Sequence, residues 1–564
     1  MKRLVVAAVV FLPAVLFGAE ASVSPAEKTA SQVITPELLR SHVRFLASDL
    51  LEGRGTATRG DQLAEAYCQS QLEAMGLKPG APGGGWYQEV PLVGLTAHFS
   101  GPALFRSGRG TAEGQPGSNF VAVSGVQKPE VRIDNAEIVF VGYGIVAPEY
   151  QWDDFKDVDL KGKVLLVMNN DPENDPNLFA GKTRLWYGRW DYKYMMAGKK
   201  GAAGAIIIHT THSAGYPWQV VQTSWAGENF QLPEDGSPRS QINMWATEEL
   251  SKKIAELGGK DLDALRASAE SRSFRPVPLG VTLSLGFANT ISHRKSENVI
   301  GMLPGSDPKL AGEAVFYTAH HDHFGIKTGA RAADASTAAG QKVDDIYNGA
   351  RDNASGVASI LGVASAFAHL PKPPRRSVYF AFVTAEEQGL LGSDYLAKNP
   401  PLPAGQIAAD INIDEANWFG KTRDVSLIGL GKSSVDSDVE AMAKWQGRRV
   451  EPDQFPDRGR FYRSDQFSLA KVGVPAAYIK FGTDVIGKPE GYGREQVETY
   501  EKTMYHQPSD ELNDTWDFSG AVEDTQLAFL VGDRIANADT MPQWKKGDEF
   551  EAVRKKSLAE LATK

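Results

Sequence analysis

The chain is 564 residues long, 42% hydrophobic and 23% charged, with a formal net charge of −10. That length calls for two or more domains built on large cores, and the acidic balance excludes the basic footprint that nucleic acid or an anionic lipid surface requires. The one cysteine, Cys68, rules out an internal disulfide and lies in a helical stretch, where it reads as a small core residue rather than a nucleophile.

Lys2 and Arg3 precede an apolar run from Leu4 to Phe17, and Ala19-Glu20-Ala21 then supplies a small-x-small cleavage site. The run falls short of the ~20 residues that a bilayer span needs. The expectation is a signal peptide over residues 1–21, export to the periplasm or beyond, and no stable membrane insertion after cleavage. From Thr35 to Met75 the spacing predicts two helices flanking the loop LLEGRGTATRG, with Pro36 opening the first. A Gly/Pro-rich stretch follows, then strand-like segments to about Gln127. Residues 22–131 are assigned to the N-terminal part of the main domain.

The texture changes over 132–290, read as an inserted β-rich domain. Trp186, Tyr187, Trp190 and Tyr192 fall in an aromatic, charged loop there, and packing within the insert is the favoured reading over a wall above a site. His209 and His212 lack nearby acid partners and read as structural or surface residues. The main domain resumes over 291–564. Strands at Ala314–Ala319, Ser377–Val383 and Ile407–Ile413 alternate with helices, which predicts an α/β, doubly wound, mostly parallel mixed sheet with helices on both faces. Ala354–Leu370 presents Val357, Ile360, Leu361, Ala364 and Phe367 on one face, an amphipathic helix. The stretch from Trp544 reads as a charged, peripheral helix.

Five blocks in this second half carry the chemistry: AHHDHFG, ARDNASG, TAEEQG, NIDEAN and MYHQPSD. Each sets a His, Asp or Glu just past an apolar strand or at a loop-to-helix start, where doubly wound folds expose residues to ligand. Imidazole nitrogens and carboxylate oxygens delivered from successive strand ends suit borderline metals such as zinc. His320 ends a strand, and Asp322 two residues on can hold its second nitrogen. Alternation along an extended chain turns His321 away, and His321 and His323 are the weaker ligand candidates. Asp352 opens DNASG beside a helix start, a backbone-anchored point suited to a bridging carboxylate, although a plain N-cap acid is the ordinary alternative. Glu386 and Glu387 are adjacent carboxylates at a buried strand end, which repel unless a cation or proton intervenes. One can ligate while the other serves as a general base. Asp414 offers a further terminal ligand; Asp410, inside the strand, is the weaker candidate. His506 is a lone loop histidine whose claim rests on completing the set. Asp344 and Asp345 read as solvated.

These blocks, with LASDLLEGRGTATRG near the N-terminus, resemble the di-zinc aminopeptidase family that includes bacterial leucyl aminopeptidases, glutamate carboxypeptidase and the transferrin receptor ectodomain. The resemblance covers nearly all of the mature chain and makes 132–290 similar to a protease-associated insert. It implies two Zn2+ ions, with Asp352 bridging, His320 and Asp414 completing one site, and Glu387 and His506 the other. It further implies Glu386 as general base, Asp322 as support for His320, Tyr505 as a donor toward the developing oxyanion, and a cis peptide at Asp352–Asn353. The implied activity is hydrolysis of the N-terminal bond of a peptide or protein with a free N-terminus. The FYRSD block is similar to pocket-lining sequence, which makes Phe461 and Arg463 substrate-binding candidates. Glu415 stands where the leucyl aminopeptidases carry an apolar pocket residue. It either pairs with Arg463 or, as favoured, faces the substrate and prefers a free amine or basic side chain. A carboxypeptidase or dipeptidase is the alternative, with Arg463 and Arg351 as its carboxylate-binding candidates. The complete ligand set argues against a receptor-like module, and the insert argues against a glutaminyl cyclase-like acyltransferase.

Overall fold

The computed structural model describes residues 22–327 and 344–562; the expected signal segment, 1–21, lies outside the described residues. No helix among the described residues is long and apolar enough to cross a membrane.

Eight strands form the body of the main sheet among the described residues: β1 (Tyr87–Phe99), β2 (Val277–Leu303), β3 (Ala314–His320), β4 (Ser377–Val383), β5 (Ile407–Asn412), β6 (Asp424–Ile428), β7 (Arg449–Glu451) and β8 (Ala476–Phe481), with the two residues Lys78–Pro79 paired to the end of β2. Their spatial order is β1-β2-β4-β3-β5-β8-β6-β7, with parallel pairing through β4-β3-β5-β8 at the centre and for β6-β7. The β1-β2, β2-β4 and β8-β6 pairs are antiparallel. Every residue of β3, β4 and β5 is buried. Strands covered on both faces need continuous apolar sequence, and AVFYTA, SVYFAFV and IAADINI supply it. Asp410, inside β5, accepts the Thr318 hydroxyl at 3.1 Å and stays in the core.

On one face lies a core made with the helices Pro36–Leu46, Arg59–Ala74, Ser355–Ala368 and Ser519–Asn537. Thr35 caps the first of these through the Leu38 N–H at 3.2 Å, and Cys68 is fully buried on the second. Ser355–Ala368 is buried on every side, so the amphipathic reading of this helix is corrected: it is enclosed between neighbouring helices and the sheet. The C-terminal helix, Glu551–Ala562, is also less peripheral than expected. Trp544 and Phe550 pack into a buried cluster with Tyr462 and Phe467, and Arg554 donates to the carbonyl of Ile407 at 3.0 Å.

A second core gathers around the parallel strands Val164–Met168, Gly204–His209 and Ile242–Thr247. It takes in Ala103, Phe105, Phe120, Val121 and Ala122 as well as residues beyond 131. A boundary at 131/132 therefore cuts through this core, whose hairpin at 103–114 looked like main-domain sequence because its strands are short and alternating. The two cores share one element. β2 runs for 27 residues; its first part pairs with Glu130–Phe140 of the second domain and its last part with β1 and β4 of the main sheet.

Candidate active site

The carboxyl ends of β3, β4 and β5 converge. His320 is the last residue of β3, Glu386 and Glu387 follow β4, and Asp414 follows β5. Asp352 sits in the turn before helix Ser355–Ala368, with its own backbone outside helical values. The buried carboxylate of Asp510 holds that turn, accepting the N–H groups of Arg351 and Asp352 at 3.1 Å each. The capping role expected for an acid falls instead to Asn353, whose Oδ1 accepts from Gly356 at 2.9 Å and from Glu415 at 3.0 Å. The Asp352–Asn353 peptide is cis.

His320 Nε2 lies 3.3 Å from Asp352 Oδ1 and 3.5 Å from Asp414 Oδ1. His506 Nε2 lies 3.3 Å from Asp352 Oδ2 and 3.2 Å from Glu387 Oε2. Each histidine thus faces two carboxylate oxygens, and Asp352 gives one oxygen to each. Both Nε2 atoms are buried without a hydrogen-bond partner. Their tautomers are set from behind. His320 Nδ1 donates to the Asp322 carbonyl at 3.2 Å, which can only accept. Ser224 spends its hydroxyl proton on the Val220 carbonyl at 2.8 Å and so accepts from His506 Nδ1 at 3.1 Å. Imidazoles held this way aim Nε2 at carboxylates, an arrangement that a proton or a metal cation on Nε2 resolves. Tetrahedral zinc with ligand bonds of 2.0–2.1 Å sets its ligand atoms about 3.3 Å apart, which is the spacing seen. The residues present fit that metal.

The electrostatics agree. Burial pushes the Glu386 and Glu387 carboxyls well above the usual range, reinforced for Glu387 by Asp352 and Glu386. For Asp352, burial is outweighed by the imidazoles of His320 and His506, 3.3 Å away on either side, which hold it well below. Burial likewise opposes the charge on Asp414, and His320 outweighs it. A cluster this buried cannot ionise all its acids without positive charge.

Asp322 serves the site differently from the sequence reading. Its backbone carbonyl, not its carboxylate at 3.8 Å, is the nearer partner of His320. The carboxylate accepts the Glu386 N–H at 3.0 Å and the Thr56 hydroxyl at 3.0 Å, and so fixes Glu386. His323 donates Nδ1–H to Glu387 Oε1 at 2.6 Å, a hydrogen-bond length that leaves Oε2 facing His506. His321 turns away, 3.1 Å from Asp61. Burial works against its charge, but Asp61 and Glu65 prevail and raise it to about 9. Ala385, Glu415 and His506 all adopt left-handed backbone, each at a cost of about 1–3 kcal/mol that the surrounding packing must offset.

Three expectations are corrected. Glu415 neither pairs with Arg463 nor stands free toward a substrate, because Arg351 and Lys480 each donate to its Oε2 at 2.8 Å. Arg351 is thereby occupied, and it also stacks 3.4 Å over Trp418. Phe461 lines neither recess of the site; it packs with Tyr462 and Phe550 in a buried cluster. Arg463 and Tyr505 do border the site, with the guanidinium 3.3 Å from the Tyr505 hydroxyl. A cleft of about 590 Å3 opens between the domains onto Glu386, Glu387 and His506. Of the four aromatics considered, only Trp190 lines it; Tyr192 is buried in the second core, and Trp186 and Tyr187 pack against that core. His209 is buried against the Tyr216 carbonyl, and His212 pairs with Glu173 at 3.0 Å. Sequence reasoning missed Ser224, Tyr216 and Trp225, which the second domain contributes to the cleft.

Residues 298–530 match the model of Peptidase family M28. This region is an M28 peptidase domain. It contains the ends of β3, β4 and β5, the Asp352 turn and His506. The chain is similar to leucine aminopeptidase 2 of Trichophyton rubrum, at 24% identity over 331 residues, covering 56% of this chain and 54% of that protein. It thus spans about half the length of the curated relatives it matches. Among solved structures it is similar to an aminopeptidase from Aneurinibacillus sp. strain AM-1, with 19% identity, a TM-score of 0.48, and 90% and 95% of the two chains covered. It is also similar to BSAP, a zinc aminopeptidase from Bacillus subtilis, with 17% identity, a TM-score of 0.47, and 91% and 97% covered. The M28 domain supplies every candidate ligand, and the second domain supplies the Ser224 support and one wall of the cleft.

Proposed function

We propose that this chain is an exported zinc aminopeptidase that hydrolyses the N-terminal bond of peptides or proteins. One observation carries the reading: two buried imidazole Nε2 atoms, each with two carboxylate oxygens at 3.2–3.5 Å, share the single carboxylate of Asp352. His320, Asp352 and Asp414 would hold one Zn2+, and Asp352, Glu387 and His506 the second. Bound zinc supplies Lewis acidity, which acidifies water and polarises a carbonyl. The protein's own part centres on Glu386. Its backbone is pinned by Asp322 and it reaches within 3.9 Å of His320 Nε2 without ranking among the nearest oxygens, a position from which it can take a proton from water. It then returns that proton to the departing nitrogen. Tyr505 keeps its hydroxyl hydrogen free at the same edge, since its oxygen accepts from Arg463.

Export rests on the pattern of residues 1–21, and the assignment of the second domain as a protease-associated insert rests on its position and similarity in sequence. The deciding experiment compares amino-acid p-nitroanilides with N-blocked peptides, before and after chelation. Turnover of the free-amine substrates, abolished by chelator and restored by zinc at about two equivalents, is expected. Activity confined to N-blocked peptides would overturn the aminopeptidase reading, and full activity with trace metal would overturn the mechanism. N-terminal sequencing of the secreted protein checks cleavage near Ala21.

A further inference from the structure

Two unequal recesses meet at Glu386. The larger is the cleft of about 590 Å3 on the Glu387–His506 side. The other, of about 60 Å3, runs in on the Asp352–Asp414 side between Arg463, Glu415 and Lys480. Removing a single N-terminal residue, the activity on which this inference rests, requires a dead end for that residue and a path for the rest of the chain. The small recess is the dead end. A cavity of about 150 Å3 holds a benzene-sized group, and this recess, at about 60 Å3, is well under half of that, which favours a short side chain over a leucine-sized one.

The charge of its wall narrows the choice. Glu415 is held by Arg351 and Lys480, both at 2.8 Å. Glu501 is held by Arg460 at 2.9 Å and Arg458 at 3.3 Å. Asp453 lies 3.8 Å from Arg460, and Asp457 3.6 Å from Arg458. Arg463 is the cation left over. Its bonds are long ones, to the Arg458 carbonyl at 3.4 Å and the Tyr505 hydroxyl at 3.3 Å, and it lies 5.1 Å over the Tyr216 ring. Among the described residues no carboxylate forms an ion pair with it. A partly enclosed guanidinium with donors to spare suits a carboxylate better than any neutral group. The carboxylates at the mouth of the recess, Asp352, Glu386 and Asp414, are the ones assigned to the metal cluster and do not reach Arg463.

We infer that Arg463 binds a substrate carboxylate in the small recess, so that the preferred N-terminal residue is short and acidic, aspartate above all. The second domain takes part through Tyr216, which borders the same recess.

Aspartyl and asparaginyl p-nitroanilides are nearly isosteric and differ in charge, which makes them the probe. With the zinc-loaded full chain, kcat/KM for the aspartyl substrate is expected to exceed that for the asparaginyl one by ~10-fold or more, and the leucyl substrate to fall below the alanyl one. Arg463→Gln should shrink the Asp-to-Asn ratio by about 10–100-fold, and Arg463→Lys should restore part of it. Calorimetric titration of free aspartate against free asparagine reads the same preference without turnover. An Asp-to-Asn ratio near or below one in the wild type, or one that Arg463→Gln leaves unchanged, overturns the inference while alanyl turnover still upholds the aminopeptidase. Turnover only of N-blocked peptides with a free C-terminus, lost in Arg463→Gln, overturns both and gives the carboxylate to the other end of the substrate.

Discussion

Ser224 lies in the second domain, on the helix Trp218–Ser224, yet its hydroxyl oxygen holds His506 Nδ1 at 3.1 Å. Replacing it with alanine removes the only hydrogen-bond acceptor that the described residues offer that nitrogen, in a residue that is 7% exposed. A buried donor left without an acceptor costs about 1–3 kcal/mol, equivalent to about 5–150-fold in the population of the tautomer and orientation that present Nε2 to a metal. Losses of that kind of support elsewhere weaken metal binding by about 10–100-fold, the same range reached independently. The effect should be one-sided, because His320 leans on the Asp322 backbone carbonyl, which no side-chain substitution removes. Titration of the metal-free protein with zinc against a chromogenic chelator should resolve two steps. Ser224→Ala is expected to weaken one step by at least ~10-fold and leave the other in place. Two unaltered steps would refute the argument that Ser224 sets the His506 tautomer, and equal weakening of both would mean that the helix acts on the whole site instead.

Glu386→Gln should keep its metal and lose ~10²–10⁴ in kcat, the scale for removing a general acid–base, whereas Glu387→Gln should lose one metal; atomic absorption beside turnover tells them apart, and the reverse pattern would exchange the two roles. Arg54 is 1% exposed and donates to the carbonyls of Leu46, His321, Asn348 and Gly349, so Arg54→Met should cost at least ~3 kcal/mol in denaturant unfolding, and a loss under 1 kcal/mol would show those carbonyls finding other partners. Burial beside Glu27 raises the Asp533 carboxyl from 3.8 to about 8; a raised acid favours the folded state below its unfolded value and loses that contribution as pH climbs through the folded one. Stability of the wild type relative to Asp533→Asn should therefore fall between about pH 4 and pH 8, and parallel pH profiles would contradict the assignment.

The ligands were legible because β3, β4 and β5 must be apolar throughout, so a His, Glu or Asp at their ends has no packing reason to be there. The mostly parallel character of the sheet followed from the alternation of strands with helices. What stayed hidden depends on distant chain segments. Glu415 reads as a free carboxylate until Arg351 and Lys480, more than 60 residues away on either side, arrive on its oxygen. Ser224 is 282 residues from His506, and no local signal marks it. Phe461 looked like pocket lining because it neighbours Arg463, but the 3-10 turn Arg460–Tyr462 points it into the core. The left-handed backbones of Ala385, Glu415 and His506 are equally silent, since none of the three is glycine or asparagine.

The 27-residue β2 strand has a bearing on how the two halves of the molecule can be parted. At about 3.3 Å per residue it is a ribbon some 90 Å in contour, and it changes owner in mid-ladder, near Phe287, where the pairings with Val131 and with Phe99 meet. Excising 132–290, which the sequence alone recommends as a clean cut, would remove the β2 partners of Phe99 through Thr96 and expose the unpaired edge that remains. It would also take away Ser224 and Tyr216. The second domain is therefore a grafted limb with shared bone, not a detachable module: crossing it to another peptidase scaffold would mean carrying both β1 and β2 along with it.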